Sequence, residues 1–174
     1  MGWELLGSEI VHRGPVLTVR RDAVRLPDGT AGAYEHVSVD DGVRVVALDT
    51  DGQVVLVEDD FYLQRRRMLH LPGGGTDGEN PYRAALRELE EETGLTAAHV
   101  DTLGVIDPLP GLTTARTHLM LATDLRPGTM RRDGAEAGMT VHRRSLPDAV
   151  AAVRTGEITD AASATALLLA SQPR

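Results

Sequence analysis

Residues 73–95 constrain this chain more than any other stretch. Three glycines, Gly73 to Gly75, run through Thr76-Asp77-Gly78-Glu79 into a segment marked as a helix at both ends. Asn80 is a good N-cap, and Pro81 suits the first helical position. Gly94 suits the left-handed residue just past the end, where Leu95 can pack back on the last turn. Tyr82, Ala85, Leu86 and Leu89 recur at helical spacing, which predicts the buried stripe. Glu88, Glu91 and Glu92 stand at i, i+3 and i+4 and share a different face, expected to lie opposite that stripe. Like charges at this spacing repel, and a helix that keeps them together offsets the repulsion with a cation. Clustered carboxylate oxygens suit hard divalent ions, Mg2+ above all, with Mn2+ as an alternative. Mg2+ is held by a few carboxylates together with substrate phosphates. Glu88 and Glu92, one turn apart, are the first-choice ligands, with Glu91 supporting. Arg87 can pair with Glu91 at i+4 and hold the cluster in register.

Composition sets bounds on what surrounds this segment. A chain of 174 residues suits one domain with a sizeable core. The net charge of −8 argues against general nucleic-acid binding. Cysteine is absent, which removes disulfides and thiolate metal sites. No apolar run approaches membrane-spanning length, and residues 1–10 lack a basic-then-apolar signal pattern, so a cytoplasmic location is expected. Every basic residue is arginine, which reads as a bias of genome composition, although arginine also suits phosphate recognition.

The hydrophobic pattern predicts a mixed α/β domain. Val16–Leu26 and Ala33–Val39 read as strands around Pro27-Asp28-Gly29, a hairpin. Val43–Leu48 and Gln53–Val57 are nearly continuous in apolar character, which predicts burial on both faces. Strands are further expected at Val100–Ile106, His118–Thr123 and Met139–Arg143. Ser145 with Asp148 predicts a helix start, and Gly156 its end. A last helix is expected over Ala161–Ser171. Residues 126–138 have few apolar side chains and read as a mobile loop.

The segment from Gly73 to Leu95 resembles the Nudix box. Its specified positions are filled by Gly73, Glu79, Arg87, Glu88, Leu89, Glu91, Glu92, Gly94 and Leu95. The resemblance extends along most of the chain. Trp3 to Ser8 and Arg21 to Gly29 look like the N-terminal region of the ADP-ribose and ADP-sugar pyrophosphatase branch. Leu71-Pro72 resembles the lead into the box, and Pro110 stands where the branch has a proline. Gly156-Glu157-Ile158 and Asp160 resemble its C-terminal segment. The chain departs from that branch at Asp59-Asp60-Phe61, where the branch usually has Gln-Tyr-Arg. It also departs at His70, in place of a glutamate, and at Leu112 to Arg116, in place of an acidic pair.

The resemblance implies the Nudix fold, a mixed β-sheet sandwiched between helices with an antiparallel N-terminal strand extension, in one domain spanning residues 1–174. It implies Mg2+-dependent hydrolysis of a nucleoside diphosphate linked to another moiety. ADP-ribose or an ADP-sugar is the expected substrate, cleaved to AMP and a sugar phosphate. It further implies a homodimer in which residues 1–39 form the contact. Gly73 and Gly74 would let the backbone approach metals and phosphates, and Glu79 would be an outer partner of the acidic cluster. Pro110 and Arg65 are the remaining substrate-binding candidates, with Arg65, Arg66 or Arg67 standing in for the missing arginine or forming a solvated loop. The branch often takes its catalytic base from a mobile loop. Here that loop offers Glu136, with Asp133 of shorter reach, while Glu91 or a metal-bound hydroxide needing no separate base are the alternatives. A Nudix enzyme for dinucleoside polyphosphates, nucleoside triphosphates or GDP-sugars, and a non-catalytic nucleotide sensor, also fit the sequence.

Overall fold

In the computed structural model the described residues are 2–132, 134 and 136–173. They divide into two compact units. One comprises the described residues up to Asp40 together with Asp107–Ala115, and the other comprises the rest.

The first unit is a three-stranded antiparallel sheet of β1 (Glu4–Arg13), β2 (Thr18–Arg25) and β3 (Ala31–Ser38), in that spatial order. The β2–β3 hairpin forms at the expected turn. Asp28 Oδ1 accepts from the Thr30 amide at 2.9 Å, and Gly29 supplies the required positive φ of 90°. Strand β1 was not legible, because all ten of its residues are exposed and no face carries an apolar alternation. Residues 107–115 attach to β3, with the Val37 amide donating to Leu112 O at 2.9 Å and the Tyr34 hydroxyl to Gly111 O at 2.7 Å.

The second unit is a six-stranded mixed sheet covered on both faces. Its strands are β4 (Gly42–Leu48), β5 (Gln53–Phe61), β6 (Arg66–His70), β7 (Leu95–Ile106), β8 (Thr117–Pro127) and β9 (Thr140–Ser145). They run in the order β6-β5-β4-β8-β7, with β9 paired to β5; the β4–β8 pair is parallel and the others are antiparallel. The period-2 alternation of a strand sorts the core into two layers. Val45, Ala47, Val55, Met120 and Ala122 pack against Ala85 and Leu89 of α1 (Pro81–Thr93). Val46, Val54, Leu56 and Leu119 pack on the other face, against α2 (Leu146–Arg154) and α3 (Ala161–Ala170). The nearly continuous apolar runs of β4 and β5 are therefore buried on both faces, as their composition predicts.

The helix ends follow the expected chemistry. Asn80 Oδ1 accepts from the Tyr82 amide at 2.9 Å, and Gly94 closes α1 at φ 69°. Ser145 Oγ accepts from the Asp148 amide at 3.2 Å and donates to its carboxylate at 2.6 Å. Three expectations need correction. Arg66 and Arg67 begin strand β6 rather than belonging to a loop; their charge masks a strand whose inner residues, Met68 to His70, are buried. Strand β7 begins at Leu95, directly after the helix cap, rather than at Val100. The segment after β8 is not loose where it meets α1: the Gly128 amide donates to Gly94 O at 2.8 Å and the Arg131 amide to Glu91 O at 3.0 Å. No helix among the described residues is long and apolar enough to cross a membrane.

Candidate active site

Helix α1 presents two buried faces. Ala85 and Leu89 face the sheet, whereas Tyr82 is exposed, so the apolar stripe is narrower than its spacing predicts. The second buried face is acidic. Glu88 is 7 % exposed and Glu92 3 % exposed, so these carboxylates do not lie on a free surface opposite the stripe. They are covered by the glycine loop. Glu92 Oε2 accepts from the Gly73 amide at 3.1 Å. A Cβ on Gly74 would stand 2.7 Å from Glu88 Oε1, so any larger residue would have to displace that carboxylate. Gly73 is bound still more closely, at φ 144°, where a Cβ would meet Val43 O at 2.2 Å.

The loop is anchored to β4 at several points. The Val45 amide donates to Pro72 O and the Val43 amide to Gly74 O, both at 2.9 Å. Arg44 donates to Gly73 O and pairs with Asp160 at 3.3 Å. On the other flank, the Thr76 amide donates to Asp41 O at 2.8 Å.

Arg87 gathers the rim of the cluster. Its guanidinium donates to Glu79 at 2.9 Å, Glu88 at 2.7 Å, Glu91 at 3.3 Å and Gly75 O at 2.8 Å. The expected i, i+4 pairing with Glu91 is present, and Glu79 is a direct partner of the same arginine. Burial opposes the charge on Arg87, but the bonds to Glu79 and Glu88 outweigh it and raise its pKa. Arg87 thus lowers the repulsion within the cluster without reaching all of it.

Burial pushes the Glu92 carboxyl up to about 8; the charge of Glu88 adds to this, while the Gly73 amide and Arg44 oppose it. Burial also raises Glu88, against the pull of Arg87. Glu136 contributes to both shifts, which places the loop glutamate within electrostatic reach of Glu88 and Glu92. It is half-buried, and its backbone carbonyl accepts from the Met139 amide at 2.9 Å. Asp133 lies outside the described residues. Among the described residues no three His, Asp or Glu side chains converge into a ready cage for a metal ion. Glu88, Glu91 and Glu92 form an open set of hard oxygen donors instead.

The other candidates belong to other elements. Arg65 sits in the β5–β6 turn at φ 51° and lines an open cavity of about 540 Å³ with Asp60, Phe61, Tyr62 and Arg66. Arg66 instead bonds Thr159, and Arg67 bonds Glu58 O and Gly138 O. Pro110 lines a cavity of about 250 Å³ in the first unit, with Asp22, Tyr34 and His36 among its walls. His70 is buried in an edge-on contact with Phe61, and its Nδ1 lies 2.9 Å from Leu71 O. Burial first, then Arg44, push its pKa down, favouring the uncharged ring. Arg44 and Arg132 were missed from the sequence. The signal for Arg44 was present: it is the lone charge in the doubly buried run Val43–Leu48. Arg132 donates from Nε and Nη2 to Glu92 O at 2.9 and 2.6 Å, capping that carbonyl in the last turn of α1, but nothing in its polar neighbourhood marks it.

Comparison with known proteins agrees with this construction. Residues 39–158 match the NUDIX domain, and residues 3–37 match the nucleoside diphosphate sugar hydrolase N-terminal domain. The chain is 36 % identical to an ADP-ribose pyrophosphatase of Mycobacterium tuberculosis, over 90 % of this chain and 77 % of that protein. It is 30 % identical to an ADP-ribose pyrophosphatase of Bacillus subtilis, over 93 % and 89 % of the two chains. The crystal structure of an ADP compounds hydrolase superposes with a TM-score of 0.88 at 24 % identity, covering 98 % of this chain and 92 % of that one, and so shares its fold. With the box complete and seated on this fold, the chain belongs to the Nudix family of pyrophosphohydrolases.

Proposed function

We propose that this enzyme hydrolyses the diphosphate bond of ADP-ribose or an ADP-sugar, giving AMP and a sugar phosphate, with Mg2+ or Mn2+ held by Glu88, Glu91 and Glu92. The observation that carries the reading is the burial of Glu88 and Glu92 beneath the glycine loop. Two carboxylates one turn apart, out of water, are costly as bare anions. A hard divalent ion converts that cost into affinity. Mg2+ needs no closed cage, because it completes its shell with waters and substrate phosphates, so the open donor set fits it. The bound ion would neutralise phosphate charge and make an attacking water more acidic.

The chain's own residues supply the remainder. Arg87 fixes Glu88 and Glu91 in register. The Gly73 amide orients Glu92, and glycine at 73 and 74 lets the loop lie against β4 and Glu88, with the partly exposed Gly74 as the proposed approach for a diphosphate. Glu136 is the proposed base, taking a proton from the water whose oxygen attacks phosphorus as the bridging P–O bond breaks. Arg132 supports it by tying the base of its loop to Glu92 O and Met139 O. The ADP-ribose pyrophosphatases among the relatives support the substrate class, and Pro110 and Arg65 remain its proposed contacts.

We further propose one enzyme domain across the chain, acting as a homodimer through residues 1–39. The support is apolar exposure along the N-terminal sheet, where Trp3, Leu5, Leu6, Ile10 and Val11 face solvent. A panel of ADP-ribose, ADP-sugars, dinucleoside polyphosphates, nucleoside triphosphates and GDP-sugars, incubated with Mg2+, tests the reading by chromatography of the products. AMP with ribose 5-phosphate is expected from ADP-ribose. Preferential cleavage of a triphosphate, or binding without turnover, contradicts it.

A further inference from the structure

We propose that Arg44 and Asp160 are positioning residues for the glycine loop, bracing it on both sides of Pro72 so that the Gly73 amide meets Glu92. The inference rests on the reading of the acidic helix given above, and it adds residues that lie outside the box.

The connections form a closed path. Asp160 Oδ2 accepts from the Ser163 amide at 2.8 Å and from its hydroxyl at 2.6 Å. That hydroxyl accepts in turn from the Leu71 amide at 2.9 Å. The same Asp160 oxygen lies 3.3 Å from Arg44 Nε, and Arg44 Nη1 donates to Gly73 O. One carboxylate at the start of α3 therefore reaches Leu71 through a serine and Gly73 through an arginine. Between them, Pro72 O is held by the Val45 amide. Gly73 has its carbonyl on Arg44 and its amide on Glu92; the amide shares its peptide plane with Pro72 O, so the Val45 amide on one side and Arg44 on the other together fix the backbone at the carboxylate.

The placement is not that of an ordinary surface ion pair. Ser163 is fully buried and Arg44 and Asp160 mostly so, in a strand and a helix cap that are otherwise apolar. An N-cap alone would need only the Ser163 amide. The additional bonds run to the segment that covers the cluster. Groups bonded directly to metal ligands are typically worth about 10- to 100-fold in metal affinity, and the brace acts one bond further out, so the lower end of that range is expected.

Mn2+ alone is the probe, with binding to the substrate-free protein followed by electron paramagnetic resonance. Variants Arg44→Gln, Asp160→Asn and Ser163→Ala are compared with Glu157→Gln, which breaks the exposed Arg144–Glu157 pair. Mn2+ affinity is expected to fall about 10-fold in Arg44→Gln and Asp160→Asn and to remain unchanged in Glu157→Gln. On ADP-ribose, kcat should fall while KM changes little. Circular dichroism checks folding; should Arg44→Gln not fold, Asp160→Asn, which keeps an N-cap side chain, carries the test. Loss of threefold or more in affinity in a folded brace variant supports the inference. Affinity within threefold of the parent overturns it, whatever happens to the melting temperature. If Glu92→Gln binds Mn2+ as the parent does, the assignment of the acidic helix falls. If Glu92→Gln loses Mn2+ and the brace variants keep it, only the brace falls.

Discussion

Removing the charge of Glu92 is expected to stabilise the metal-free protein, and to do so only as pH rises. Burial moves this carboxyl from an ordinary 4.5 up to about 8. The unfolded chain releases the proton near 4.5, whereas the folded chain keeps it to about 8. Between those values the folded state binds more protons, so stability falls with rising pH. Below 4.5 the penalty is absent, and above 8 it is complete. The displacement corresponds to a ceiling of about 5 kcal/mol. Relaxation of the loop and entry of water reduce this, and about 2–4 kcal/mol is expected to be realised. Glu92→Gln removes the charge and retains an oxygen for the Gly73 amide. Urea denaturation in EDTA at pH 5, 7 and 9 measures the effect. Parent and variant should agree within about 1 kcal/mol at pH 5, and the variant should be more stable by about 2–4 kcal/mol at pH 9. A divalent ion at a hundred times its Kd should return about 2.7 kcal/mol to the parent and narrow the gap. A gap independent of pH, or a variant less stable than the parent at pH 9, would refute the reasoning.

Three other predictions follow from the site. Glu136→Gln should lower kcat by roughly 10² to 10⁴ with Mn2+ affinity little changed; a loss under about threefold at saturating substrate returns the role to Glu91 or to a hydroxide on the metal. Gly73→Ala should cost about 3 kcal/mol or more in urea denaturation, because its Cβ meets backbone at a φ reserved for glycine. Gly74→Ala, whose Cβ meets only the end of the Glu88 side chain, should cost about 1 kcal/mol and act mainly on turnover. Light scattering at micromolar concentration should give a dimer mass; a monomer mass contradicts the proposed role of residues 1–39.

The parts of the fold that were legible are those where local chemistry and burial agree. The caps at Asn80, Gly94 and Ser145 have side chains suited to their bonds, and the runs of β4 and β5 are apolar because both their faces are covered. Strand β1 is exposed throughout and β6 opens on two arginines, so neither carries the alternation by which a strand is recognised. Within the site, spacing located the carboxylates on a face of their own, opposite the apolar stripe, but gave no sign that this face is covered. That Glu88 and Glu92 are buried depends on residues 73–74 folding over the helix, a tertiary contact without a local pattern. The same holds for Arg44, which is distant in sequence from the Asp160–Ser163 cap and meets it only through the folding of the second unit.

The most direct measurement is the turnover of ADP-ribose by parent and Glu92→Gln proteins at saturating Mg2+, with folding of both verified. If the buried carboxylates of α1 hold the ion that makes hydrolysis possible, release of AMP should fall by about 10² or more in the variant while its fold and stability are retained. Near-normal turnover in Glu92→Gln would contradict the assignment of the acidic helix as the catalytic centre.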